Sequence, residues 1–145
     1  MQDLIGFQKP WTNNMFLNSI NPKNNQKINT WEILSQSDVD LKINQTYNSY
    51  LEWRETKLPF RFRWLEGLSS LLIERSKEYA VLMADEMGKP LAQGIAEVEK
   101  CAWLCDYYHE NATSFLKSKN IKTNNYKSFI TFEPIGPVLG VMPWN

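Results

Sequence analysis

No surplus of either charge marks this sequence: sixteen Lys and Arg stand against sixteen Asp and Glu, with no block of one sign. A nucleic-acid partner is therefore disfavoured, because neutralising phosphates needs a basic face. Long apolar runs are missing too, which argues against a membrane span. Met1–Pro10 has neither the cationic start nor the apolar stretch of a secretory signal. The sequons at Asn44 and Asn111 accordingly read as chance. Cysteine is confined to Cys101 and Cys105; this is no disulfide framework and fits a reducing, cytoplasmic setting. A Gly-x-Gly-x-x-Gly fingerprint is also lacking, so a standard Rossmann turn is not indicated.

Apolar side chains make up 43% of the chain and aromatics 13%, enough to bury a core and too many for a solvated linker. The length sets one domain as the prior. Residues 1 to about 36 are polar and mixed. Phe16–Ile20 and Lys27–Leu34 flank Asn21-Pro22-Lys23-Asn24-Asn25-Gln26, whose Asn and Pro residues suit a turn. A hairpin and a disordered arm both fit this stretch.

Three helices are predicted after it, over about 37–56, 59–87 and 91–117. Ser37 is the expected cap of the first, and Val39, Ile43, Tyr47 and Leu51 form its apolar stripe. Pro59 suits the first position of the second, with Phe60, Trp64, Leu68 and Leu71 as the buried face. A bend is expected at Ser76, and Gly88 followed by Pro90 is a stop signal. In the third, Leu91, Ile95, Val98, Ala102, Cys105, Ala112 and Phe115 keep the 3–4 spacing. Beyond Lys117 the pattern turns to short β runs, Ile121–Thr123 and Tyr126–Phe132, around the turn pair Asn124-Asn125.

The last thirteen residues carry the chemistry. Val138–Met142 is an apolar strand core, with Pro134 and Gly136 turning the chain before it and Pro143 stopping it. Asn145 is left at the carboxyl end, where ligands gather in open parallel sheets. An uncharged amide with two N–H donors suits an oxyanion that forms only in the transition state. A turn residue or a frayed end is the competing reading.

Elsewhere, Cys101, Cys105 and His109 fall on one helix face. Zinc would accept such donors, but a structural site needs a fourth ligand, so no metal is expected. Packing cysteines and a near-solvent histidine explain the run. Lys89 reads as a solvated turn lysine.

Glu133-Pro-x-Gly136 with Met142-Pro-Trp-Asn145, Glu86-Met-Gly-Lys-Pro90 and Ala96–Tyr108 together resemble the aldehyde dehydrogenase family over nearly the whole chain. The resemblance implies an α/β fold, the N-terminal portion of the aldehyde dehydrogenase fold. Residues 1–117 would belong to the NAD(P)-binding domain. Residues 118–134 would form a hairpin joining subunits of a homo-oligomer, and 135–145 would begin the cofactor-binding sheet. It further implies that Asn145 is the oxyanion-hole amide, and that Met142, Pro143 and Trp144 run along NAD or NADP. The family's nucleophilic cysteine and its glutamate base would lie outside this sequence, so the chain is expected to be an inactive fragment of an aldehyde-oxidising enzyme. Trp53-Arg-Glu-Thr56 and Cys105-Asp-Tyr-Tyr108 look most like the bacterial succinate-semialdehyde dehydrogenases of the family. A small helical interaction module with a strand-pairing β tail is the alternative.

Overall fold

The computed structural model describes residues 16–124 and 126–142. Two strands, β1 (Phe16–Ile20) and β2 (Lys27–Glu32), pair antiparallel. The turn between them is held by Asn21 N–H donating to the Gln26 carbonyl and Asn25 N–H donating to the Asn21 carbonyl, each at 2.8 Å. Asn25 sits at φ 58°, a conformation that asparagine tolerates better than most side chains. The hairpin expected at this position is present, and its return strand ends at Glu32 rather than Leu34.

Helix α1 spans Gln36–Trp53. Its cap is Ser35, not Ser37: Asp38 N–H donates to Ser35 Oγ while the Asp38 carboxylate accepts from Ser35 N–H. Ser37 also has an aspartate three positions on, but the Asp40 carboxylate accepts from Gln36 Nε2 instead, and the reciprocal capping box closes between Ser35 and Asp38. At the other end, Arg61 donates to the Arg54 and Thr56 carbonyls, satisfying acceptors that a helix terminus leaves open.

The predicted second helix is two helices, α2 (Leu58–Glu74) and α3 (Ser76–Met87), separated at Arg75 with φ −103° and ψ 14°. Pro59 lies in the first turn of α2, which begins one residue earlier than expected, after an extended Lys57. Gly88 ends α3 at φ 72°, as its position before Lys89-Pro90 predicts. Helix α4 runs from Leu91 to Phe115.

Helix α4 packs along both α2 and α3. Ser69, Ala80, Gly94, Val98, Ala102 and Ala112 are buried among them. These are small residues, so the helix backbones approach closely. A Cβ placed on Gly94 would stand 3.0 Å from Ala80 Cβ and 3.1 Å from Ala80 Cα.

The stripe expected to be buried on α2 faces outward. Phe60, Trp64, Leu68 and Leu71 are exposed, Trp64 at 65%. The buried side runs instead through Leu58, Phe62, Leu65, Ser69 and Leu72. The helix is apolar on two faces, and the 3–4 period fits both; the one with the small Ser69 takes α4. The α1 stripe is likewise open, and no residue of α1 is buried.

Glu86 and Asp85 hold the N-terminal hairpin to the end of α3. Ser19, 2% exposed, donates its hydroxyl to Glu86 Oε1 at 2.6 Å, and Asn21 donates to Asp85 at 3.4 Å. Lys89 pairs with Glu97 and is not the solvated turn lysine expected. Ser19→Ala removes a donor from a half-buried carboxylate. It is expected to cost about 1–2 kcal/mol, read as faster amide exchange in β1 and β2. Unchanged protection there would contradict the clamp.

After α4, β3 (Lys119–Ile121) pairs antiparallel with β4 (Ser128–Ile130). β4 is shorter than predicted, and β3 keeps its predicted length but begins two residues earlier. Thr123 and Ser128 hydroxyls meet at 2.8 Å across the connection. Residues 131–142 form no strand and join neither sheet. The strand expected from 136 onward is therefore not formed in its described part. An apolar segment needs a neighbour's N–H and C=O groups to make a ladder, and no described strand lies beside it to supply them.

Candidate functional site

The segment singled out by sequence leaves β4 and crosses the C-terminal half of α1. Tyr50 donates its hydroxyl to the Pro134 carbonyl at 3.2 Å, joining residues 84 apart. Two residues later Gly136 takes φ 119°, a left-handed value that a side chain would strain. The turn expected at Pro134 and Gly136 is not formed as a regular turn: residues 131–140 carry none, and the positive φ of Gly136 is what remains of it. Gly136 and Pro137 then line an open groove of about 550 Å³ with Thr46, Ser49, Tyr50, Glu52, Trp53 and Thr56 of α1 and its end.

From there the chain runs outward. Val138, Leu139, Val141 and Met142 are all largely exposed, Leu139 at 89%. Met142 is thus on the surface, and the peptide groups of 138–142 belong to no strand ladder. The remaining site residues, Pro143, Trp144 and Asn145, lie outside the described residues.

Groups able to do acid–base or nucleophilic work are few nearby. Glu52 lines the groove. Arg54 is held above its ordinary value, chiefly by the hydrogen bond it gives Glu55 and then by Tyr50. No group of three or more His, Cys, Asp or Glu able to hold a metal exists among the described residues.

His109 is half-buried, and its Nδ1 lies 2.9 Å from the Phe62 carbonyl, bridging α4 to α2. It is not the near-solvent histidine the sequence suggested; its place at the spacing of Ala102 and Ala112 was the available signal. Cys105 is also half-buried, and desolvation pushes its thiol up, with smaller contributions from Asp106 and Cys101. A thiol so shifted is a poor nucleophile at neutral pH.

Two further residues with positioning roles escaped the sequence reading. Tyr50 ties down the terminal segment, and Glu86 seats the hairpin. Nothing in periodicity marks either, since each acts on a residue more than sixty positions away.

Among proteins of known type, the chain is 37% identical over 131 residues to a Synechocystis protein named probable succinate-semialdehyde dehydrogenase (NADP+), covering 90% of this chain and 29% of that one. It is 34% identical over 127 residues to the succinate semialdehyde dehydrogenase (NAD(P)+) of Escherichia coli, covering 88% of this chain and 28% of that one. The chain therefore spans less than a third of the curated relatives it matches. The succinic semialdehyde dehydrogenase of Streptococcus pyogenes, solved with NADP+, superposes with a TM-score of 0.75 at 25% identity, over 79% of this chain and 25% of that one. That superposition makes the four helices and two small sheets a counterpart of part of a larger α/β fold. The aldehyde dehydrogenase family profile matches residues 10–145, and the chain belongs to that family.

Proposed function

We propose that this chain supplies the amino-terminal segment of an NAD(P)+-dependent enzyme that oxidises an aldehyde, succinate semialdehyde, to its carboxylate. The observation that carries the reading is the match to the family over residues 10–145, together with the identity to succinate-semialdehyde dehydrogenases. Asn145 is the residue assigned to catalysis. Its amide donates to the aldehyde oxygen as negative charge develops there, a charge that a neutral donor stabilises without repelling the neutral substrate. Backbone groups of Met142, Pro143 and Trp144 run beside the cofactor. The described part of that stretch suits such a shelf: neutral side chains on peptide groups engaged in no ladder. When bound, NAD(P)+ takes up the hydride.

Residues 118–134 are assigned to contact between subunits. Phe129, Ile130 and Phe132 are exposed on and beside β4, an apolar edge that is costly to leave in water. The outward faces of α1 and α2 point the same way: contiguous apolar surface marks an interface, which the other parts of an enzyme over three times as long would cover. No helix among the described residues is long and apolar enough to cross a membrane.

The chain alone is expected to give background NAD(P)H formation with succinate semialdehyde, since neither Cys101 nor Cys105 has an activating base. Spliced in place of the matching segment of the Synechocystis relative, it is expected to restore aldehyde-dependent NADP+ reduction. Clear turnover by the chain alone would refute the first expectation. A folded, oligomeric chimera without activity would refute the second. The exposed apolar stripe of α1 favours one other reading, a helical interaction module with a strand-pairing tail. A soluble monomer with one cooperative unfolding transition for residues 1–145 would select it.

A further inference from the structure

Outside the terminal segment, nucleophilic side chains gather at one place, the middle of α4. Cys101 and Cys105 are both free, one exposed and one half-buried. They lie one helical turn apart, and Cys101 is near enough to contribute to the shift of the Cys105 thiol. Side chains at this spacing share a face, with Cβ atoms about 5–6 Å apart. A disulfide requires Cβ atoms about 3.5–4.5 Å apart, so the intact helix holds the sulfurs too far apart to bond to each other. A bridging atom with two long bonds to sulfur removes that limit.

We propose that Cys101 and Cys105 form a chelating dithiol site for trivalent arsenicals of the type R–As(OH)₂. In the condensation two As–O bonds and two S–H bonds break, two As–S bonds form, and the protons leave on the hydroxyl groups as two waters. Arsenic and sulfur keep their oxidation states, so no oxidant is needed. The reaction proceeds from neutral thiols, and the upward shift of Cys105 keeps it in that form. Once one sulfur has bonded, the helix presents the second at high effective concentration, which raises retention without any new contact.

The test uses the whole chain with phenylarsine oxide, followed by intact mass and competition with 1,2-ethanedithiol. One arylarsenic per chain, doubly bonded to sulfur, is expected. Cys101→Ser and Cys105→Ser are each expected to lower the ethanedithiol concentration that strips it by about 10²-fold or more. Cys105→Ser with Asp106→Cys keeps two thiols but moves one off the shared face, and is expected to behave like the single-cysteine variants. Far-UV circular dichroism verifies that each variant keeps its helices. Retention in either single variant equal to that of the parent would overturn the proposal. So would retention in the displaced pair, or ready formation of a Cys101–Cys105 disulfide with diamide in the folded chain.

Discussion

In the active chimera, Asn145→Ala is expected to lower kcat by about 10²–10³, the usual effect of removing one oxyanion donor, equivalent to about 2.7–4 kcal/mol of transition-state stabilisation. The loss should fall on kcat, with KM nearly unchanged. The aldehyde oxygen is neutral in the ground state, so the amide gains most of its interaction only as charge builds. Asn145→Asp should be at least as damaging, because a carboxylate brings repulsion where the amide brought a donor. Steady-state kinetics of the three proteins, with subunit assembly verified, decide the matter. An alanine variant within tenfold of the parent would remove Asn145 from the catalytic role and return it to a turn.

Gly94→Leu should unfold the helical part of the chain, or bring it close to that. Gly94 is buried where α4 crosses α3, and even a methyl carbon there would press on Ala80 Cβ and Cα at 3.0 and 3.1 Å. Those atoms include backbone, which cannot swing aside. Forcing a leucine in is expected to cost about 3 kcal/mol, a large share of the 5–15 kcal/mol that typical folds have. Gly94→Ala is the informative contrast. Alanine gains about 1 kcal/mol in helix propensity over glycine, which offsets much of a displacement of a few tenths of an ångström. Thermal unfolding followed by circular dichroism should therefore order the series as parent near alanine, and leucine far below. A leucine variant melting with the parent would mean that α3 and α4 are not in contact as described.

The elements themselves were legible. Glycine and proline punctuation located the C-terminal end of α3 and the start of α4, and the Asn-rich turn located β1–β2, because those residues restrict or permit particular backbone angles wherever they stand. Asn25 at φ 58° shows the same logic, since asparagine is enriched among the non-glycine residues that accept such an angle. What failed was the direction of α2. Two apolar faces satisfy one period, and only the placement of Ser69 against α4 separates them. The cap at Ser35 could not be told from Ser37 by pattern, because Asp38 and Asp40 place an acid three positions beyond each serine. The segment after Gly136 read as a strand from composition, yet a strand is a property of a pair, and no described segment pairs with it. Of the site, the special backbone at Gly136 was readable in advance, since glycine is the residue that accepts φ 119°. Its anchor on Tyr50 was not, because a hydroxyl reaching 84 residues along the chain leaves no local trace.

The Ser19–Glu86 hydrogen bond spans 67 positions of sequence, and that separation orders events on the ribosome. The hairpin can close as soon as Gln26 and its neighbours emerge, but its seat does not exist until α3 has been made. At about 5–20 residues per second, the newborn hairpin waits several seconds before Ser19 and Asn21 meet their partners Glu86 and Asp85. Chaperone capture and proteolytic nicking during synthesis should therefore concentrate upstream of Glu86, and a stalled nascent chain released before that residue should be cleared faster than one released just after it.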